Sequence, residues 1–201
     1  MYVSKPQAAL NRGALLQAAS RLFRARGFDG VGVAEIAKQA GLTHGALYKH
    51  FPSKDALAAA AFSHAAAARL DRGRHRKQTF EERLDAMFSA EHRDNLENGC
   101  PMTASASEIA RQGTAVGASF TRVFQEAMAD IESLMDGGIS AAEKRRLAIT
   151  ALAAQIGAVA VARAVVQIEP SLSEEVLQTV RETVGSALVH RQAVRSKPEG
   201  G

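Results

Sequence analysis

VAEIAKQAGLTHGALYKHF, residues 33–51, is the stretch that decides the fold. Val33, Ile36, Ala37 and Ala40 recur at helical spacing and form one apolar stripe. Gly41 follows at the point where a helix end favours a residue that tolerates the left-handed conformation. Leu42 can plug the corner, and the hydroxyl of Thr43 is suited to cap a second helix. Ala46 and Leu47 face back onto the first helix. A residue before proline is biased away from the helical region, so Phe51–Pro52 predicts that the second helix stops near His50. Ser53 then caps a further helix, with Asp55 in its first turn, where the helix dipole favours it.

The outward positions of the second helix are Thr43, His44, Gly45, Tyr48, Lys49 and His50. A helix that reads DNA puts its N-terminal residues near base edges and its flanks near phosphates. Gly45 lets the backbone approach closely, and His44 can reach a base edge or a phosphate. Tyr48, Lys49, His50 and Lys54 supply phosphate donors. An ordinary helical hairpin with a solvated polar face is the plainer alternative. The buried aliphatics, Gly41, the Thr43 cap and the aromatic–proline ending together favour the DNA-reading helix–turn–helix over it.

Charge supports the same reading independently. Residues 1–77 carry 13 Lys and Arg against 4 Asp and Glu, a net +9. Residues 78–201 carry 12 against 17, a net −5, so the overall +4 hides a basic N-terminal third on an acidic body. Polyanion binding is the simplest use of that asymmetry. The run Arg69, Arg72, Arg74, Arg76 and Lys77 is expected to form a solvated face between domains.

Residues from about 11 to 61 resemble the N-terminal domain of the TetR/AcrR family of bacterial transcriptional regulators. The matching stretches are ALLQAASRLFRARGF (14–28) and AEIAKQAGLTHGALYKHFPSKDAL (34–57). The resemblance implies an all-α fold with an N-terminal three-helix helix–turn–helix domain over 1–55. It implies a C-terminal helical domain over 56–201 for effector binding and dimerisation. The last two long helices would pair with their symmetry mates, placing two recognition helices about 34 Å apart on a palindromic operator. One departure stands out: the family commonly has Ser or Thr just before the second helix, and here Gly32 and Val33 occupy that place.

The remaining elements read as helices. In the first, Leu15, Ala18, Ala19, Leu22 and Phe23 form a stripe that ends at Gly27, and Phe28 packs back under the bundle. Lys5 and Arg12 precede or open it, as a basic arm or a disordered tail. Further helices are expected over 79–95, over 101–111 after Cys100–Pro101, and over 114–135 up to a break at Asp136–Gly137–Gly138. One starts near Ser140 and includes the apolar stretch 148–166; another spans roughly 173–192, followed by a disordered tail from Arg195. The stretch 148–166 contains Gln155 and Arg163, which are costly in lipid, so a buried helix is expected rather than a membrane span.

An effector pocket would draw on Met87, Phe88, Met102 and Phe124, with His92 and Gln155 as polar groups, although Met and Phe at helical spacing more often form plain core. Cys100, at a helix start, is either a redox-sensing thiol or, preferably, a small buried hydrophobe. The six histidines show no metal-ligand spacing, and no nucleophile motif or phosphate-cradling glycine loop occurs, so no enzyme, metal or cofactor is expected. A single cysteine and an early run interrupted by Lys5, Pro6 and Asn11 suit a cytoplasmic protein. The function expected is a homodimeric DNA-binding regulator, more specifically a repressor released by a small-molecule effector. Its rivals are an architectural DNA binder indifferent to sequence and a ligand or redox sensor acting through Cys100.

Overall fold

The computed structural model describes residues 4–74, 78–135 and 138–195, with the backbone alone described at 70–74 and 188–195. Among the described residues every regular element is a helix. In chain order these are α1 (Lys5–Arg26), α2 (Val33–Gln39), α3 (His44–Tyr48), α4 (Lys54–Arg74) and α5 (Phe80–Met87). Then follow α6 (Ala90–Asp94), α7 (Pro101–Ile109), α8 (Thr114–Ser133), α9 (Ala141–Val165) and α10 (Pro170–Arg195). The chain forms two compact units. One holds α1–α4 with residues 95–124; the other holds residues 76–94 and everything from Gln125 onward.

Helix α1 starts earlier than the sequence suggests. Ser4 caps it by accepting the Gln7 N–H, and proline in the first turn leaves no orphaned donor there. Arg12 is therefore a mid-helix residue, not part of an arm, and its guanidinium lies 5.1 Å from the Phe51 ring centre. Gly27 ends the helix as expected, at φ 75°, with its N–H on the Phe23 carbonyl. Leu15, Ala19, Phe23 and Phe28 are buried, and the Phe23 and Phe28 rings sit 5.1 Å apart.

The corner between α2 and α3 closes as a paired C-cap. Leu42 N–H bonds the Ala37 carbonyl at 2.9 Å and Gly41 N–H bonds the Lys38 carbonyl at 3.0 Å. These two bonds satisfy carbonyls that the end of α2 would otherwise leave orphaned, and they require a left-handed residue between them. Gly41 supplies it at φ 70°. Ile36, Ala37 and Leu47 are driven into the core by the same corner, each at most 1% exposed.

In the second unit, Thr79 and Glu82 form a complete capping box at the start of α5. The single helix expected over 79–95 is in fact two. Ser89 breaks it: its hydroxyl accepts the His92 N–H at 3.0 Å and opens α6 after Phe88 ends α5. Hydroxyl side chains compete with the helical ladder for backbone donors, and Ser89 wins here. Helix α10 begins at Pro170 rather than near Ser173, because proline suits a first helical position. Ser140 caps α9 as expected, accepting the Glu143 N–H at 3.3 Å. Val159, Ala162 and Leu177 form a cluster at the α9–α10 seam. The predicted break at 136–137, most of the basic run 69–77 and the tail beyond 195 fall outside the residues described with side chains.

No atom lies within 4 Å of a Cβ built on Gly41, so substitution there meets only backbone strain. Gly41→Ala should destabilise the protein by about 1 kcal/mol, and Gly41→Asn by less, in urea unfolding. Equal stability of the alanine variant would contradict the left-handed corner.

Candidate nucleic-acid interface

Helix α3 has one buried face and one open one. Leu47 is fully buried and anchors the helix, which packs on α2. Thr43 caps it, its Oγ1 accepting the Ala46 N–H at 3.2 Å. The remaining side chains therefore point away from the bundle. Thr43, His44, Gly45, Tyr48 and Lys49 are exposed, while His50 and Lys54 are half-buried. A Cβ built on Gly45 meets nothing within 4 Å, which leaves an open notch in this surface.

The open face carries its own order. His44 and Tyr48, one turn apart, make an edge-to-face contact with ring centres 5.0 Å apart. This pairing presents the Tyr48 hydroxyl and the imidazole as a fixed set rather than two independent rotors. Phe51 is buried just past the end of α3 and carries the Arg12 guanidinium over its ring. Ser53 caps α4 by accepting the Ala56 N–H at 3.1 Å, which fixes Lys54 in its first turn. Gly32, at the start of α2, caps with no side chain, as the missing hydroxyl predicts. Arg12 over Phe51 is a contact that spacing does not reveal, because a basic residue at the eighth position of a helix gives no pattern that points to it.

Two family models match the chain: the tetR-family bacterial regulatory protein model over residues 15–61, and the LmrA/YxaF-like transcriptional regulator C-terminal domain model over residues 77–183. The second alone covers more than half the sequence. The chain belongs to the TetR family of bacterial transcriptional regulators. It is thus a DNA-binding regulator built from a helix–turn–helix domain and a family-specific helical body. Similar solved structures have the same fold. A TetR-family regulator from Cytophaga hutchinsonii is 19% identical with a TM-score of 0.72, over 92% of this chain and 98% of that one. One from Chloroflexus aurantiacus is 23% identical with a TM-score of 0.71, over 92% and 96%. The reduced form of NemR from E. coli is 21% identical with a TM-score of 0.69, over 87% and 94%. No curated protein matches the chain.

The residues expected to bind an effector divide between the two units of this TetR-family regulator. Cys100 and Met102 are buried in the first unit, and Phe124 is half-buried there, stacked on Phe120 with ring centres 6.2 Å apart. Met87, Phe88, His92 and Gln155 are buried in the second. Of these, the structure joins His92 and Gln155: the His92 Nε2 and the Gln155 amide meet at 2.7 Å. Helix α9 is long and apolar enough to cross a membrane by composition alone. Two polar residues in its apolar stretch nonetheless find partners within the protein: Gln155 with His92, and Arg163 donating to the backbone carbonyls of Arg93 and His92.

A second polar group lies next to these residues and was not visible from spacing. Arg93 is buried, donates to Ser173 Oγ at 3.0 Å and pairs with Asp94. Ser173 passes the contact on to the Ala162 carbonyl at 2.9 Å. A short α6 is thereby tied to α9 and α10 by one buried cation. Its hydrogen bond to Arg93 holds the Asp94 carboxyl below its ordinary range against the opposing effect of burial, and the charges of Arg93 and Arg163 add to that. A carboxyl lowered in the folded state contributes stability that is full above its unfolded value and is lost as pH falls through the folded one. Asp94→Asn should therefore lower Tm at neutral pH, and the gap to the wild type should close as pH falls below about 4. A gap independent of pH in thermal melts would contradict the pairing.

Proposed function

We propose that the protein is a homodimeric repressor that holds a palindromic operator and releases it when a small-molecule effector binds. The observation that carries this reading is the open face of α3: a capped, buried-anchored helix that exposes Thr43, His44, Gly45, Tyr48 and Lys49 together. Thr43, His44 and Gly45 would lie at base edges, with Tyr48, Lys49, His50 and Lys54 at phosphates. Residues 1–55 would act as the DNA-binding part and 56–201 as the effector-binding and dimerisation part, in a cytoplasmic protein.

Dimerisation is supported by apolar surface left open on α9. Ile149, Val161 and Ile168, on and just beyond that helix, are exposed, the last two at 50% and 88%. Between them Ala153, Gly157, Ala160 and Ala164 are exposed as well, small enough for a second helix to approach closely. Among the α10 residues described with side chains, most exposed positions are polar, Glu174, Gln178 and Glu182 among them. The effector would be apolar or amphipathic, meeting Met87 and Phe88 in the second unit, with His92 and Gln155 to orient it. Coupling of about 1–3 kcal/mol between that site and the operator is ordinary for such a switch.

Lys49→Ala should weaken binding to a genomic fragment selected by the wild-type protein and lower the slope of log affinity against log salt by about 1. Tyr48→Ala should weaken binding by about tenfold, with less effect on the slope. Titrations by fluorescence anisotropy at several salt concentrations check both; unchanged affinity in both variants would rule out the docking face. Val161→Glu should shift the protein from dimer to monomer in light scattering, and a dimer that survives it would exclude the α9 face.

A further inference from the structure

Glu108, in α7, lies 80 residues in sequence from Phe28 at the α1–α2 corner, yet its carboxylate closes on that corner. Its Oε2 accepts the backbone N–H of Phe28 at 2.9 Å. Phe28 is the second residue past the end of α1, where the helical ladder no longer supplies an acceptor. The preceding residue, Gly27, is in the left-handed region, and a Cβ built there would fall 2.7 and 2.8 Å from the two oxygens of the same carboxylate. One acid therefore matches two features of this corner. It satisfies an amide beyond the helix end, and it fills the space that only glycine leaves.

The corner is one that α2 depends on. Gly32 opens α2 without a side-chain cap, so no hydroxyl fixes the angle at which that helix starts. The loop 27–32 contributes to it, beside the Arg26–Glu35 ion pair that joins the end of α1 to the first turn of α2. That loop is held by Glu108 at the Phe28 N–H, by Arg26 at the Gly30 carbonyl, 2.9 Å, and by burial of Phe28 and Val31. The neighbouring turns of α1 are gripped from the same side. Arg21 pairs with the Glu97 carboxylate and Arg24 donates to the Glu97 carbonyl at 2.6 Å. The Arg21 pair is half-exposed at both ends and so contributes little. The bond from a carboxylate to a partly buried backbone amide is of the stronger kind.

We propose that Glu108 is a positioning residue for DNA binding. It holds the α1–α2 corner, and through it the α2–α3 pair, from a segment outside the helix–turn–helix sequence. The proposal rests on the DNA-binding reading of α3 and deepens it. Glu108 touches no DNA; it sets where the helices that do so begin.

The test uses the full-length protein with Glu108→Ala and Glu108→Gln, with Lys49→Ala and Tyr48→Ala measured beside them. Hydrogen exchange is followed at Phe28 and across residues 33–48, and affinity is measured for a genomic fragment selected by the wild-type protein. Glu108→Ala should speed exchange at Phe28 and through 33–48 by tenfold or more and weaken DNA binding about tenfold. Exchange in α9 and α10 should stay unchanged. Glu108→Gln keeps a carbonyl oxygen to accept the bond and should recover most of both. Unchanged exchange over 33–48 in Glu108→Ala overturns the proposal. So does a uniform rise in exchange across the whole chain, which would mark Glu108 as a contributor to global stability alone. If Lys49→Ala and Tyr48→Ala both leave binding intact, the docking reading of α3 itself fails, and the exchange data still decide whether Glu108 holds the corner.

Discussion

The corner at Gly41 is the constraint on which the rest depends. Two hydrogen bonds close the end of α2, and both need a residue at φ 70° between them. That conformation is strained for any residue with a Cβ, so glycine stands where the chain must turn. The turn in turn makes Leu47 face Ile36 and Ala37 across the core, which gives α3 a buried side only one residue wide. A five-residue helix has little stability of its own. Because so few of its side chains are needed inside, most of the others are free to face outward.

The same economy explains which parts of the fold were legible in the sequence. Gly27, Gly41, Thr43, Ser53 and Ser140 act on residues within four positions of themselves, so local spacing reveals them. Ser89 also acts locally, but it competes with a helical pattern that continues on both sides, and periodicity alone hid the break. Arg12 over Phe51, Arg93 with Ser173 and Glu108 with Phe28 join residues far apart in the chain. No periodicity encodes such pairs. The exposed set on α3 was legible because a short helix with one buried leucine has a simple outside. An effector site is not legible in the same way, since Met and Phe serve core and pocket with the same spacing.

Charge and apolarity divide the remaining work. The basic excess falls in the third of the chain that contains α1–α4, whereas Ile149 and Val161 leave apolar surface open on α9. A polyanion and a second copy of the chain are the partners that these two surfaces fit. Helix α9 shows why composition alone is a poor guide to a helix's surroundings. Its apolar length suits a membrane, but Gln155 and Arg163 find buried partners in the protein itself.

On the proposed reading α3 is one half of a two-fold DNA reader. Hydroxyl-radical footprinting of the purified protein on genomic fragments that it selects tests this most directly. The account predicts two protected patches on one face of the duplex, centred about one helical turn apart and related by an inverted repeat. Protection spread evenly along the fragment, or a single isolated patch, would contradict it.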